Sequence, residues 1–313
     1  MVNFVKRATS ISLIAISVMV MAGCAGKEVM PSGQTAKQEP SAVAANKEQV
    51  IMDKFNVLMQ EKNVPLPRAI TFIDENIAAV SRQNASTMIA GIEKLQQDQL
   101  PKLEEKFAAQ EQAMQQILAA DYQKGLTESY INSIANQQVK AVLLEARNGG
   151  FKVETAEGMY FPVIDYAFYS KYRNAVTPDI AAYIGIMTVE SEKTPAKDAA
   201  LIISWTELLK RATAQEQFIK DYGNSPKAPA IQRLLTRYAS FALYGANNTP
   251  LFSYETKQMV PGAKKAYLEA TFDAGNGSFS KTMSAYLAVL KQNDYMLTNQ
   301  VQEYRNKAME EYR

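Results

Sequence analysis

The sequence predicts a mostly α-helical protein, and three observations carry that expectation. Apolar residues recur at spacings of three and four from about Lys47 almost to the end of the 313-residue chain. Prolines and glycines fall at the breaks between those runs, at Pro65 and Pro67, Gly125, Gly149 and Gly150, and Gly245. Strand-like alternation is confined to one stretch, Phe151–Val163. The expected architecture is an N-terminal bundle of about four helices over 47–148, one β-hairpin connector over 149–163, and stacked helical hairpins over 164–313. Repeated strand–helix units are missing, which counts against an α/β solute-binding protein.

The elements follow in order. Ile51, Phe55 and Leu58 share one helix face, and Pro65 and Pro67 end that helix. Pro67 suits the first turn of the next, where Ile70, Ile73, Ile77 and Val80 keep helical spacing. Asn84 or Ser86 is expected to cap a third helix bearing Met88, Ile92 and Leu95, with Pro101 interrupting or kinking it. Leu103, Phe107, Met114 and Ile117 extend the stripe towards Gly125. Thr127 opens a helix carrying Ile131, Ile134, Val139, Val142 and Leu143, stopped at Asn148-Gly149-Gly150. The hairpin strands flank Thr155-Ala156-Glu157-Gly158, and a lone hairpin needs helices to lie against. Ala200–Ile203 reads as an apolar helix continuing through Ser204 and Trp205, with Trp205 as a core anchor.

The second half differs in composition, because 14 of the 16 tyrosines lie at or after Tyr160. It also holds a correspondence at a spacing of 52 residues. Asp221-Tyr222-Gly223-Asn224-Ser225-Pro226 aligns with Asp273-Ala274-Gly275-Asn276-Gly277-Ser278, and Leu234, Leu235 and Tyr238 align with Tyr286, Leu287 and Leu290. Phe218–Pro226 resembles the inter-helix turn of tetratricopeptide-like repeats, which implies stacked helical hairpins. Leu235 and Leu287 are accordingly expected at matching core positions.

Charge and residue usage exclude several functions. Lys6 and Arg7 are the only charged side chains before Cys24, so the chain beyond it carries 32 basic and 32 acidic groups. That balance, with no basic block, gives no footprint for nucleic acid. The chain has no histidine and a single cysteine, which removes zinc sites of the His/Cys type, Ser-His-Asp and Cys-His catalysis, and any disulfide framework. No metal and no cofactor is expected.

The first 24 residues carry an address. Lys6-Arg7 precede the apolar run Ile11–Val20, and Met21-Ala22-Gly23-Cys24 follows it. The run is shorter than the roughly 20 apolar residues a spanning helix needs. This arrangement resembles the signal of bacterial lipoproteins, with Met21 where Leu is commoner. The resemblance implies cleavage of residues 1–23, attachment of lipid to Cys24, and anchoring in a bilayer on the extracytoplasmic side of a bacterial cell membrane or outer membrane. Ala25 in place of Asp implies outward sorting in a two-membrane host. Residues 24–46 are small, polar and Pro-containing, and read as a flexible tether.

Two expectations about function follow. The leading one is a non-enzymatic binding or scaffolding lipoprotein whose partner is an envelope protein or cell-wall component. Tyr166, Tyr169, Tyr172, Tyr183, Tyr238, Tyr244 and Tyr254 are its candidate binding residues, because a phenol ring offers contact area and its hydroxyl fixes orientation. The alternative is a peptidoglycan-cleaving enzyme. Glu190-Ser191 after Tyr183–Met187 is similar to the catalytic Glu-Ser step of lytic transglycosylases, which implies Glu190 as proton donor, but the Gly-Leu-Met-Gln segment of that family is replaced by Lys193–Ala200.

Overall fold

The computed structural model describes residues 42–119, 122, 125–273, 275 and 277–312. The signal, Cys24 and most of the expected tether lie outside the described residues. Residues from Ala42 onward form one compact unit. Among the described residues no helix is long and apolar enough to cross a membrane.

α1 (Ala42–Gln60) begins before Lys47 and buries Ile51, Phe55 and Leu58. α2 (Leu66–Asn76) starts with proline in its first turn, buries Ile70 and Ile73, and runs into a 3-10 turn at Ile77–Ala79. α3 (Arg82–Ala109) is capped by Ser81 rather than by Asn84 or Ser86, the Ser81 hydroxyl accepting from the Asn84 amide. It passes through Pro101 unbroken. Proline there is exposed, as is Gln97 one turn earlier, so water can take the carbonyl that loses its N–H partner. α4 (Glu111–Leu118) continues the stripe. The single helix expected after Thr127 is two, α5 (Glu128–Ser133) and α6 (Gln137–Asn148). Asn136 separates them because its side chain accepts from the Gln138 and Val139 amides and starts a new helix.

β1 (Phe151–Ala156) and β2 (Met159–Ile164) form the hairpin, in register Ala156↔Met159 and Phe151↔Ile164. Glu157 and Gly158 both have positive φ, as a tight two-residue turn requires. The hairpin lies against α3, α4 and α6. A 3-10 segment, Tyr166–Tyr172, leads to α7 (Pro178–Glu192).

Beyond α7 the apolar helix expected over Ala200–Ile203 is absent. Ala196–Lys197 (β3) and Ala200–Leu201 (β4) pair around Asp198 and Ala199, both at positive φ, and Ser204 caps α8 (Trp205–Tyr222) by accepting from the Glu207 amide. Trp205 is therefore a half-buried first-turn residue, edge-on to Tyr267. α9 (Ala228–Tyr244) is followed by a second small ladder, β5 (Gly245–Ala246) with β6 (Thr249–Pro250), then α10 (Pro261–Glu269), α11 (Ser278–Gln292) and α12 (Asn299–Glu310).

The 52-residue correspondence holds only in part. Both copies join helices, but α8 pairs extensively with α9, whereas α10 and α11 each pack on α8, and α11 takes α12 as a further neighbour. Leu234 and Tyr286, and Tyr238 and Leu290, are matched core pairs. Leu235 is buried and Leu287 only half so, because α11 meets a different set of neighbours from α9. One apolar cluster runs from Ile51 to Tyr312.

Several helix starts are satisfied by other helices. Glu48 of α1 accepts from the Ser81 amide (2.7 Å), and the Ser81 hydroxyl, that amide and the Asn84 side chain together lower its pKa. The Ser86 hydroxyl of α3 accepts from the Thr177 amide ahead of α7 (2.9 Å). The buried Glu216 carboxylate of α8 accepts from the Ser280 amide in the first turn of α11 (3.1 Å). Each joins distant segments through donors that a helix start otherwise leaves unpaired.

Candidate functional site

α3 turns one face towards the Tyr166–Tyr172 segment and α7. Along it Ser86, Ile89, Glu93 and Gln96 follow at helical spacing and are all buried. A carboxylate and an amide thus occupy places in an apolar row. Buried polar groups demand partners, and both have them.

Glu93 Oε1 accepts from the Tyr166 hydroxyl (2.6 Å) and the Tyr183 hydroxyl (2.5 Å), and the two hydroxyls lie 3.2 Å apart. Its other oxygen accepts from the Lys227 ammonium, at the start of α9, which also sits 4.9 Å from the centre of the Tyr183 ring. One turn along α3, the Gln96 side-chain carbonyl accepts from Tyr169, while its amide donates to the Gly149 (2.8 Å) and Gly150 (3.1 Å) carbonyls. Gly150 has φ of +73°, and a Cβ there would lie 2.6 Å from the Gln96 nitrogen. Burial is the first cause pushing the Tyr166, Tyr169 and Tyr183 hydroxyls far above the ordinary tyrosine range, and the Glu93 charge adds to it.

A second cluster hangs from the far end of α7. Glu190 Oε1 accepts from Tyr238 (2.6 Å) and lies 3.7 Å from Arg211, and its Oε2 lies 3.9 Å from Arg237 and makes no hydrogen bond among the described residues. Arg211 also donates to Glu207 (2.9 Å) and to the Lys193 carbonyl (2.7 Å). Burial raises the Glu190 pKa, against the opposing pull of Tyr238, Arg211 and Arg237. Its side chain is only 8% exposed. A raised carboxyl pKa suits proton donation chemically, but this carboxyl is enclosed by the groups it pairs with.

The seven candidate tyrosines do not line one open groove. Tyr166, Tyr169, Tyr172, Tyr183 and Tyr238 are buried, and their hydroxyls serve internal acceptors, Asp74 (2.7 Å) in the case of Tyr172. Their rings supply core area while Glu93, Gln96, Asp74 and Glu190 take the hydroxyls, which is why they sit inside. Tyr244 is half-buried beside Arg305, its hydroxyl 3.1 Å from Asn306, and Tyr254 is 67% exposed and donates to the Asn247 carbonyl (2.9 Å).

Above the Glu93 network opens a cleft of about 840 Å³. α3 supplies Gln83, Thr87 and Ala90, the start of α7 supplies Thr177–Ile180, and the α8–α9 turn supplies Lys220–Lys227. Its rim therefore contains the Asp221–Pro226 turn that stands out in the sequence. Asp179 accepts from Ser225 (2.6 Å), tying α7 to that turn. Desolvation opposes its charge, but donors at Ser225, Thr177 and the local amides outweigh that and hold its pKa low. Lys227 spans both features, lining the cleft and bonding to Glu93 beneath it. The volume lies within the range of roughly 300–1,000 Å³ usual for small-ligand sites.

Glu93, Gln96 and Lys227 were not distinguishable by motif. The one available signal is that Glu93 and Gln96 continue the spacing of Ile89 where apolar residues belong. In comparison with known proteins, the chain matches no family model, and no curated protein or solved structure is significantly similar to it.

Proposed function

We propose that this protein is a membrane-anchored lipoprotein of the bacterial envelope that serves as a non-enzymatic binding or scaffolding module. The observation that carries the reading is the arrangement Lys6-Arg7, Ile11–Val20, Met21-Ala22-Gly23-Cys24, in which a basic pair, a short apolar run and small residues precede the chain's one thiol. The partner is an envelope protein or cell-wall component. Supporting this is a body whose charges balance and in which Tyr166, Tyr169, Tyr172, Tyr183 and Tyr238 tie segments together internally, beside a polar cleft that offers one concave surface for a ligand. Replacing Cys24 by Ser and following incorporation of labelled palmitate with membrane fractionation tests the anchor. Loss of label and release from the membrane fraction is expected, and unchanged labelling and retention would overturn it.

The second reading, peptidoglycan cleavage by Glu190, draws on the burial that raises this carboxyl's pKa. Its enclosure by Tyr238, Arg211 and Arg237 argues the other way. Incubating purified protein with peptidoglycan distinguishes the two, since turnover abolished by Glu190→Gln would favour the enzyme.

A further inference from the structure

We infer that the cleft between α3, the start of α7 and the α8–α9 turn binds an uncharged glycan segment. The inference rests on the envelope reading for where such a ligand is met, and on the chemistry of the walls for its class.

The walls are balanced in charge. They carry two lysines, Lys220 and Lys227, and two aspartates, Asp179 and Asp221; Lys227 is bonded to Glu93, Asp179 holds Ser225, and Asp221 accepts from Gln217 (2.8 Å). A cleft whose charges are matched and engaged attracts neither anions nor cations strongly. What remains for a ligand are the side-chain amides of Gln83 and Asn224. Both are exposed, neither makes a hydrogen bond within the described residues, and each offers donors and an acceptor together. Sugar hydroxyls donate and accept at once, so an amide meets adjacent hydroxyls with both its ends.

Apolar surface is interleaved with these groups. Tyr222 is half-buried at the rim, held from behind by Phe218 with ring centres 5.4 Å apart, and Pro226 follows it in the turn. A flat ring and a proline match the C–H face of a pyranose, whose edge carries the hydroxyls. A peptide is the less favoured occupant, because the cleft's apolar lining is limited to Ala90, Pro178, Ile180, Tyr222 and Pro226, and Ile180 is itself buried, which leaves little apolar area for a large side chain to anchor on.

The test uses the full chain in detergent micelles and three probes: the N-acetylglucosamine tetramer, maltotetraose, and the tetrapeptide Ala-Glu-Lys-Ala. Binding is read by isothermal titration and by ligand-observed NMR. Saturable binding of either glycan is expected, and preference between them tells acetamido-sugar polymers of the wall from plain hexose glycans. Asn224→Ala and Gln83→Ala are each expected to weaken binding about three- to tenfold. Both positions are exposed, so folding is not at issue, and Gln232→Ala, exposed on α9 outside the cleft, should leave affinity unchanged. Absence of glycan binding at millimolar concentration, binding indifferent to both cleft substitutions, or binding of the tetrapeptide alone would overturn the inference. Because the titration needs no lipid on Cys24, it fails or succeeds independently of the palmitate experiment.

Discussion

Tyr166 places its hydroxyl 2.6 Å from a carboxylate oxygen of Glu93, a residue 73 positions earlier in the chain. With Tyr183 on the same oxygen and Lys227 on the other, three segments converge on one side chain of α3 that is 3% exposed. Removing the carboxylate strands a partly buried ammonium and two buried hydroxyls. Glu93→Ala is therefore expected to cost about 3–5 kcal/mol in chemical denaturation. Glu93→Leu with Lys227→Met should cost less than the sum of the single changes, since no unpaired charge is left behind. Additive costs in that cycle would contradict the pairing.

Glu190 titrates differently from an exposed glutamate, because burial raises its folded pKa above its unfolded one. The folded state then holds the proton more tightly, so the carboxyl's contribution to stability is greatest at low pH and declines as pH rises through the unfolded and then the folded value. Glu190→Gln has no such dependence. Denaturation of both proteins from about pH 4 to about pH 7 should show the stability of wild type relative to the variant falling with pH. A rise would mean that Tyr238 and Arg211 dominate over burial.

The two aligned copies in the C-terminal half make a graded set. Leu235 and Leu290 are essentially sealed, and truncation of either to alanine is expected to cost about 2–5 kcal/mol. Leu287 is half-buried and should cost less than either, while exposed Gln232 and Lys281 should stay within about 0.5 kcal/mol of wild type. Thermal melts by circular dichroism check the order. Equal losses at Leu235 and Leu287 would restore the strict repeat that the packing of α10 and α11 denies.

Gly245 ends α9 with φ of +80° and ψ of −158°, a region essentially reserved for glycine. A Cβ there would lie 2.4 Å from the Thr249 carbonyl and 2.6 Å from the Leu251 nitrogen, both backbone atoms that cannot swing aside. Gly245→Ala is expected to destabilise by at least about 1–3 kcal/mol. A variant that melts with wild type would show that the β5–β6 ladder is dispensable.

Helix positions were legible in the sequence where a stripe met a proline or glycine, as at Ile51–Leu58 and at the Asn148–Gly150 stop, but not at Pro101, which α3 passes through. The hairpin was legible because alternation and an αL-tolerant turn coincide there. The break at Asn136 was hidden because Ile131, Ile134, Val139 and Val142 read as one continuous stripe across it, and the start of α8 at Ser204 because Ile203 and Trp205 flank it; only the local side-chain bond to the backbone decides them. The tyrosines were visible as a class, but whether a phenol faces solvent depends on an acceptor elsewhere in the chain. For Tyr166 and Tyr183 that acceptor is Glu93, far upstream in sequence, and its spacing was the sole trace. The cleft was half-legible: its rim is the conspicuous Asp221–Pro226 turn, while its other wall on α3 carries no motif.

Intact-mass spectrometry of the protein extracted from membranes of a bacterial host tests the central claim most directly. The account predicts a polypeptide beginning at Cys24 and heavier than its sequence by a thioether-linked diacylglyceryl group, with or without a further acyl chain on its new amino terminus. A chain that retains Met1, or one cleaved elsewhere and carrying no lipid, would contradict it.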